Sequence, residues 1–510
     1  MMIDSTQKII PMLMVFGVLL LFVVAGLLYK TREGSEYGLA GRYTGRIGGG
    51  AAIASNWMSA ASFLGIAGII YLYGYSALAY VIGWTGGYVL LLVLLAGQLR
   101  RFGKYTAPDF IGERYESSSA RLLSAIISII ITIIYSMAQF KGIGMIFAWL
   151  LGVEYSRGVI IGTIILMAYI VLSGVMGVAR SQKLQYFVLI VTFILPLMLL
   201  AYRLGYFWIL PQFGYGKGIT DLSTEFGINI SSPFSHFGLF QWTALCFTLM
   251  FGTAGLPHVL SRFYTVSNVR DARWSVVWGL FFIALIYWSA PAYAVFGRLI
   301  EARKGIFLPP EVSHQMADIV VLRTALLGGL PPWIVGMLAA GAVSAAFFTV
   351  AGLLMTGAAS VSYDIYYRII NPQASESNRM SIAKGATLLL AFLVMLGALN
   401  PPGLIAEIAA VAFALAGNTI FPAFLLGIWW SGTNSHGVIS GMLAGLCITF
   451  AQPLLGDTVP ALNTLFPLTA SALCGAPIVI TVMIVVSLFT KPPSEKIRRF
   501  LAEEVHGDIQ

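Results

Sequence analysis

Gly48-Gly-Gly-Ala-Ala-Ile-Ala-Ser-Asn-Trp-Met-Ser-Ala-Ala-Ser-Phe-Leu-Gly65 is the stretch whose reading decides the fold. It is apolar and rich in small residues, yet Ser55, Asn56, Ser59 and Ser62 place four polar side chains within eight positions. Backbone left unpaired in lipid costs several kcal/mol, so irregular backbone at membrane depth survives only where protein or a cavity surrounds it. A second stretch, Phe251-Gly-Thr-Ala-Gly-Leu-Pro-His258, has the same character. Pro257 removes a backbone donor and strains the turn before it. One reading is a pair of interrupted helices around a central site. The other is two helices that use glycine and alanine to pack closely.

The composition around these stretches is that of a membrane protein. Of 510 residues 58% are hydrophobic and 10% charged, with a mean hydropathy of +0.86, whereas a soluble domain carries about 25% charged residues. The net charge of +9 is spread between apolar runs rather than gathered in a patch, which argues against a nucleic-acid partner. Cys246, Cys447 and Cys474 stand singly in apolar surroundings and read as packing residues. The first apolar run, from Ile9 to Tyr29, is too long for a signal-peptide core and is expected to remain as a span.

A bilayer core needs about 20 apolar residues in a helix. Thirteen such runs occur, near 9–29, 48–75, 77–98, 122–151, 157–178, 184–204, 238–262, 274–297, 333–360, 381–400, 403–430, 436–455 and 469–490. They are numbered spans 1 to 13. Segments after the odd spans up to 11, with the tail from 491 to 510, hold twenty-one Lys and Arg, while the opposite side holds eight and Lys141 lies inside span 4. By the positive-inside rule the N-terminus is expected outside and the C-terminus in the cytoplasm, in a plasma membrane such as a bacterial inner membrane. Span 2 then begins on the cytoplasmic side and span 7 on the outer side. Each opens a five-helix unit of opposite topology, spans 2–6 (about 48–204) and 7–11 (about 238–430), within one transmembrane domain over 1–490. Interrupted helices at matching places of inverted repeats point to a transporter's central site.

Several blocks, in order, resemble the sodium:solute symporter family: Trp57-Met-Ser-Ala-Ala-Ser-Phe-Leu-Gly65, Gly83-Trp-Thr-Gly-Gly-Tyr88, Lys104-Tyr-Thr-Ala-Pro-Asp-Phe-Ile-Gly112, Gly252-Thr-Ala-Gly-Leu-Pro-His258 and Ser362-Tyr-Asp-Ile-Tyr366. The likeness runs from about residue 30 to 490 and is greatest to the acetate-permease-like branch, particularly large subunits that accompany a small two-span membrane protein. It implies an all-α LeuT-like fold and cation-coupled symport of a small organic solute by alternating access, with a monocarboxylate such as acetate as the expected cargo. It also implies a Na+ site between the break in span 2 and span 9. The ligands carried over are the carbonyls of Ser55, Met58 and Ala345, with hydroxyls expected at 348 and 349. Two positions depart from the pattern. Asn56 stands where relatives usually have Asp, and Phe348-Thr349 where they usually have Ser-Thr. One hydroxyl is lost and one carboxylate neutralised, so H+ stands beside Na+ as a coupling ion. Lys141, Glu407 and His258 are the titratable candidates for it.

The solute is expected among Asn56, Ser59, Ser62, Gln139, Lys141, Gly252, Thr253 and Gly255. A lysine at the centre of a span costs about 2.5–3.5 kcal/mol on the permissive insertion scale. Lys141 therefore either faces the cavity as a fixed cation for an anion or snorkels outward. Glu407, four residues past Gly403, is either a solvated residue at a helix start or an outer-gate partner of Lys141. Asp109, Glu113 and Asp364 are expected in cytoplasmic contacts.

No phosphate-binding Gly-rich loop, zinc-protease motif or nucleophile elbow is present, so the chain is not expected to be an enzyme or to need a cofactor beyond its coupling ion. A sensor built on a transporter fold is the rival reading, and the tail after Leu488 offers no signalling domain. Saturable uptake driven uphill separates a carrier from a sensor or channel.

Overall fold

The computed structural model describes residues 5–28, 46–102, 106–261 and 269–507. The described residues are helical with short connections and no strand. Ten helical runs are long and apolar enough to cross a bilayer. One of them, Ala61–Leu99, turns at Gly74 and holds spans 2 and 3, while the shorter apolar helices Leu239–Gly255 and Ala472–Leu488 stand where spans 7 and 13 are expected. Thirteen crossings are thus accommodated. Gly74 makes its turn at φ +56°, and a Cβ there would lie 2.6 Å from the Ile230 carbonyl oxygen, so no other residue fits.

Spans 5 and 6 form one helical run, Tyr155–Arg203, yet they are antiparallel. Gln185 Nε2 donates to the Tyr169 hydroxyl at 2.9 Å, although sixteen residues of straight helix would separate them by about 24 Å. The chain must therefore reverse between them.

Burial sorts the bundle. Span 9 (Pro332–Ala359, continued by the turns Ser360–Ile370) is 94% buried over its most apolar stretch and span 11 is 89% buried, against 22% for span 10 and 28% for span 12. Spans 9 and 11 are central and spans 10 and 12 face lipid. Span 11 is itself broken, Ile405–Asn418 then Ile420–Trp429, with Thr419 between them. Pro422 has no N–H to offer the Asn418 carbonyl four residues back, which explains the break.

The ends of the bundle, outer and cytoplasmic as the basic residues name them, are each tied by ion pairs. At the outer end the Tyr71 hydroxyl donates to Glu301 at 2.6 Å, and Arg323 pairs with the same carboxylate at 2.9 Å. At the cytoplasmic end Arg121 and Arg368 both reach Asp109 and Glu113, at 2.8 to 3.2 Å, and Thr106 donates to Asp364 at 2.7 Å. The expected contacts of these three carboxylates are formed. The tail, Glu495–Val505, folds back under the bundle: Phe500 meets Phe102 edge-on at 5.2 Å and His506 contacts the Ile428 carbonyl at 2.8 Å.

Candidate solute and cation site

Span 2 runs as a helix over Arg46–Trp57, opens at Met58 and Ser59, and resumes at Ala60 through a wide π-turn, Ala61–Gly65. The cause of the opening is visible. In a continuous helix the Ala60 N–H would bond the Asn56 carbonyl, but here it donates to Gln139 Oε1 of span 4 at 2.7 Å. A backbone N–H can only donate, so the contact fixes the Gln139 amide with its oxygen toward Ala60 and its nitrogen turned away. The break expected within the Gly48–Gly65 stretch, near Ser55–Met58 where the cation ligands are placed, therefore falls at Met58 and Ser59. In span 7 the helix Leu239–Gly255 stops, Leu256 is extended (φ −69°, ψ 120°), and Pro257 starts a short helix to Leu260. This is the end of the expected stretch, set by the missing Pro257 donor.

Tyr135 of span 4 stands between the two breaks, its hydroxyl 3.5 Å from Ser59 Oγ and its ring 5.7 Å from that of the buried His258. Phe413 of span 11 closes the centre, with ring centroids 5.6 Å from Trp57, 5.7 Å from Trp84 and 5.5 Å from Tyr135. Trp57 Nε1 donates to the Tyr287 hydroxyl at 2.8 Å, and that hydroxyl lies 3.0 Å from Ser62 Oγ. The site is an aromatic box. Gln139 Nε2 and Ser136 Oγ, one turn apart on span 4 beside Tyr135, are fully buried without a protein partner, as is Ser55 Oγ in the first half of span 2.

The three span 7 residues expected at the solute are packing positions in this structure. A Cβ on Gly252 would lie 2.4 Å from the Phe413 carbonyl oxygen, and one on Gly255 2.5 Å from that of Ala416. Thr253 bonds the Leu249 carbonyl and fills the space beside Gly87. These residues bring span 7 against spans 11 and 3. Asn56 lies in the helix before the break, its side chain outside the described set.

Ser55 and Met58, at the end of the first half of span 2, and Ala345, Phe348 and Thr349 of span 9 are all fully buried, and the two helices pack against each other. The ring of Phe348 lies against span 1, edge-on to Phe22 at 4.9 Å. Ser344, the neighbouring hydroxyl, is tied to the Ala340 carbonyl of its own helix at 2.5 Å.

Lys141 neither snorkels nor meets Glu407. Its ammonium group donates to Asp318 Oδ2 at 2.6 Å and to the Gly403 carbonyl at 2.7 Å. Glu407 instead bonds the Leu404 N–H at 3.0 Å and caps the helix of span 11, with the Tyr73 hydroxyl 3.5 Å away. The expected Lys141–Glu407 gate is thereby corrected, because the helix start claims the glutamate and Asp318 claims the lysine.

The sodium:solute symporter family model matches residues 37–445. The chain belongs to that family. An uncharacterized symporter of Cupriavidus necator is 29% identical, over 84% of this chain and 83% of its own. A Na+-coupled sialic acid symporter, solved substrate-bound and outward-open, superposes with a TM-score of 0.75 at 14% identity, covering 95% of this chain and 99% of that one. MhsT in complex with L-phenylalanine gives 0.50 at 15% identity, with 88% and 99% covered. The LeuT-like fold is therefore established, and the family is one of transporters rather than enzymes.

The family implies Na+ coupling. Among the described residues no group of His, Cys, Asp and Glu is arranged to hold a metal, and a symporter's sodium is cargo that carbonyl and hydroxyl oxygens suffice to carry. Sequence reading missed Tyr287, Phe413 and Asp318. Aromatics inside apolar spans carry no periodic signal that separates site from core. Asp318 lies in a connection 177 residues from Lys141.

Proposed function

We propose that this symporter takes up a small monocarboxylate, such as acetate, with Na+ and by alternating access. The observation that carries the reading is the fixed orientation of Gln139. Its oxygen is consumed by Ala60, so its amide nitrogen is presented as a pure donor, one turn from the unpartnered Ser136 hydroxyl. A buried donor left unpaired costs about 1–3 kcal/mol, and a solute that accepts hydrogen bonds relieves that cost. The positive end of the helix dipole at the start of the second half of span 2 favours a negative charge in the same place. Lys141 adds a cation on the outer side of the box: its neighbour Gly142 packs against Ala60, where a Cβ would approach the Ala60 side chain to 2.8 Å. The aromatic walls suit a short alkyl or acyl chain.

Na+ is assigned to Ser55, Met58, Ala345 and Thr349, with Ser59, Ser62 and the aromatic box on the solute side. Position 348 contributes its backbone alone, so the ion is held by fewer side-chain oxygens than the family pattern supplies. A small two-span membrane subunit is the expected partner, in a plasma membrane with the C-terminus cytoplasmic.

Uptake of labelled acetate, propionate, pyruvate and lactate into vesicles with imposed Na+ or H+ gradients tests the reading. One of these should accumulate uphill, Lys141→Met should abolish the accumulation at unchanged protein level, and Lys141→Arg should keep part of it. If a neutral solute is carried and none of the four acids is, the carboxylate assignment fails. If replacing Na+ by choline has no effect and a protonophore collapses uptake, the coupling ion is H+.

A further inference from the structure

Asp318 holds neither the proposed solute nor the proposed ion, yet it is 1% exposed and, among the described residues, makes the shortest ion pair. Its carboxylate meets two positive partners: Lys141 Nζ at 2.6 Å, and the Ile405 N–H that opens the first helix of span 11, at 3.2 Å from both oxygens. That N–H is one of the donors a helix start leaves without an intrahelical acceptor, and the helix dipole adds to the attraction. Lys141 in turn bonds the Gly403 carbonyl, two residues before Ile405. One carboxylate and one ammonium group thus join span 4, the start of span 11 and the connection between spans 8 and 9.

The connection is also pressed onto span 2. A Cβ on Gly68 would lie 2.5 Å from the Ala317 carbonyl oxygen and 3.3 Å from the Asp318 nitrogen. A Cβ on Gly142, beside Lys141, would meet the side chains of Ala60, Ile405 and Leu64 at 2.8, 3.4 and 3.8 Å. These contacts lie between the outer face and the break at Met58–Ser59. On the proposed transport cycle a solute entering from outside reaches the break at Met58–Ser59 past this cluster, which then parts in every cycle.

We propose that the Lys141–Asp318 pair is the latch of the outer gate, with Asp318 the resident counter-ion that holds Lys141 while the gate is shut. Two charges buried together are stable only while both are present, and removing one partner leaves the other uncompensated. Opening hydrates both groups, so the loss of one charge penalises the closed state and spares the open one. The latch rests on the proposed transport cycle and not on the identity of the solute.

The test uses Leu64→Cys, a fully buried position beneath the cluster, in the full chain with its three native cysteines replaced by serine. A membrane-impermeant thiol reagent is added from the outside to intact cells without solute. Labelling should be slow in this parent, at least tenfold faster after adding Asp318→Asn, and slower again in Asp318→Glu, which keeps a carboxylate for Lys141 and the Ile405 N–H. Recovery in Asp318→Glu guards against the Asn variant being merely misfolded. Labelling of Asp318→Asn at the parent rate overturns the latch, as does Asp318→Glu labelling as fast as Asp318→Asn. Fast labelling reversed by Asp318→Glu upholds it even if none of the four acids is carried, an outcome that sinks only the carboxylate reading.

Discussion

Replacing Gln139 by Leu keeps the bulk of a fully buried side chain and removes the acceptor of the Ala60 N–H. That N–H then has two choices. It stays unpaired, at about 1–3 kcal/mol, or it turns back to the Asn56 carbonyl and closes the helix. Closing the helix costs the symporter carbonyl oxygen at Met58, because a continuous span 2 spends it on its own backbone. Either route weakens Na+ binding, and at 1.4 kcal/mol per tenfold a loss in this range raises the Na+ concentration for half-maximal uptake about 5- to 140-fold. The assay is solute uptake in proteoliposomes against a Na+ titration at fixed pH. Gln139→Glu is the control, since a carboxylate still accepts from Ala60; it should restore much of the Na+ response while disturbing solute binding. If Gln139→Leu shows the parent's Na+ dependence, the break in span 2 is not held by Gln139, and the orientation argument for the solute falls with it.

Thr349→Val removes the hydroxyl assigned to the ion and should raise the Na+ requirement about tenfold with solute affinity changed less, as read from paired titrations. Gly252→Val should deplete folded protein, by detergent size-exclusion profile, because its Cβ would overlap the Phe413 backbone and overpacking typically costs about 1–3 kcal/mol. His236, stacked on Tyr73 at 4.0 Å, has its pKa pushed down by burial, partly offset by the Glu407 charge. The folded state therefore disfavours the imidazolium, so the stack is unaffected at high pH and loosens as pH falls below about 6.5. Labelling of Phe237→Cys from outside, taken relative to a fully exposed reference cysteine at the same pH so that thiol ionisation cancels, should rise modestly between pH 7.5 and 5.

The spans were legible because apolar runs of bilayer length admit few other readings. The breaks were legible to within a few residues, since Pro257 and the serines of span 2 mark weak backbone. What the sequence could not place was the acceptor that opens span 2, because Gln139 lies 79 positions away from Ala60. Lys141 was visible as an anomaly while its partner was not: Asp318 sits in a connection, where an acidic residue is unremarkable. Glu407 carried a local signal for its true role, three residues after Leu404 at a helix start, and capping followed from it. The third break, at Thr419, had its signal in Pro422, which the reading of span 11 as one continuous run passed over. Gly252 and Gly255 illustrate the limit of motif transfer, since the same small residues that permit a cavity also permit contact.

Span 1 lies outside the two repeats, and its place is set by contacts with spans 5 and 9. Phe22 meets Phe348, the backbone at Pro11 closes on Gly336, and Gly26 abuts Ser173 of span 5. Because spans 5 and 9 hold it from two sides, span 1 is packed into one block with them. Under the proposed alternating access that block travels together, and Phe348, where the family pattern places an ion ligand, is a rivet within it.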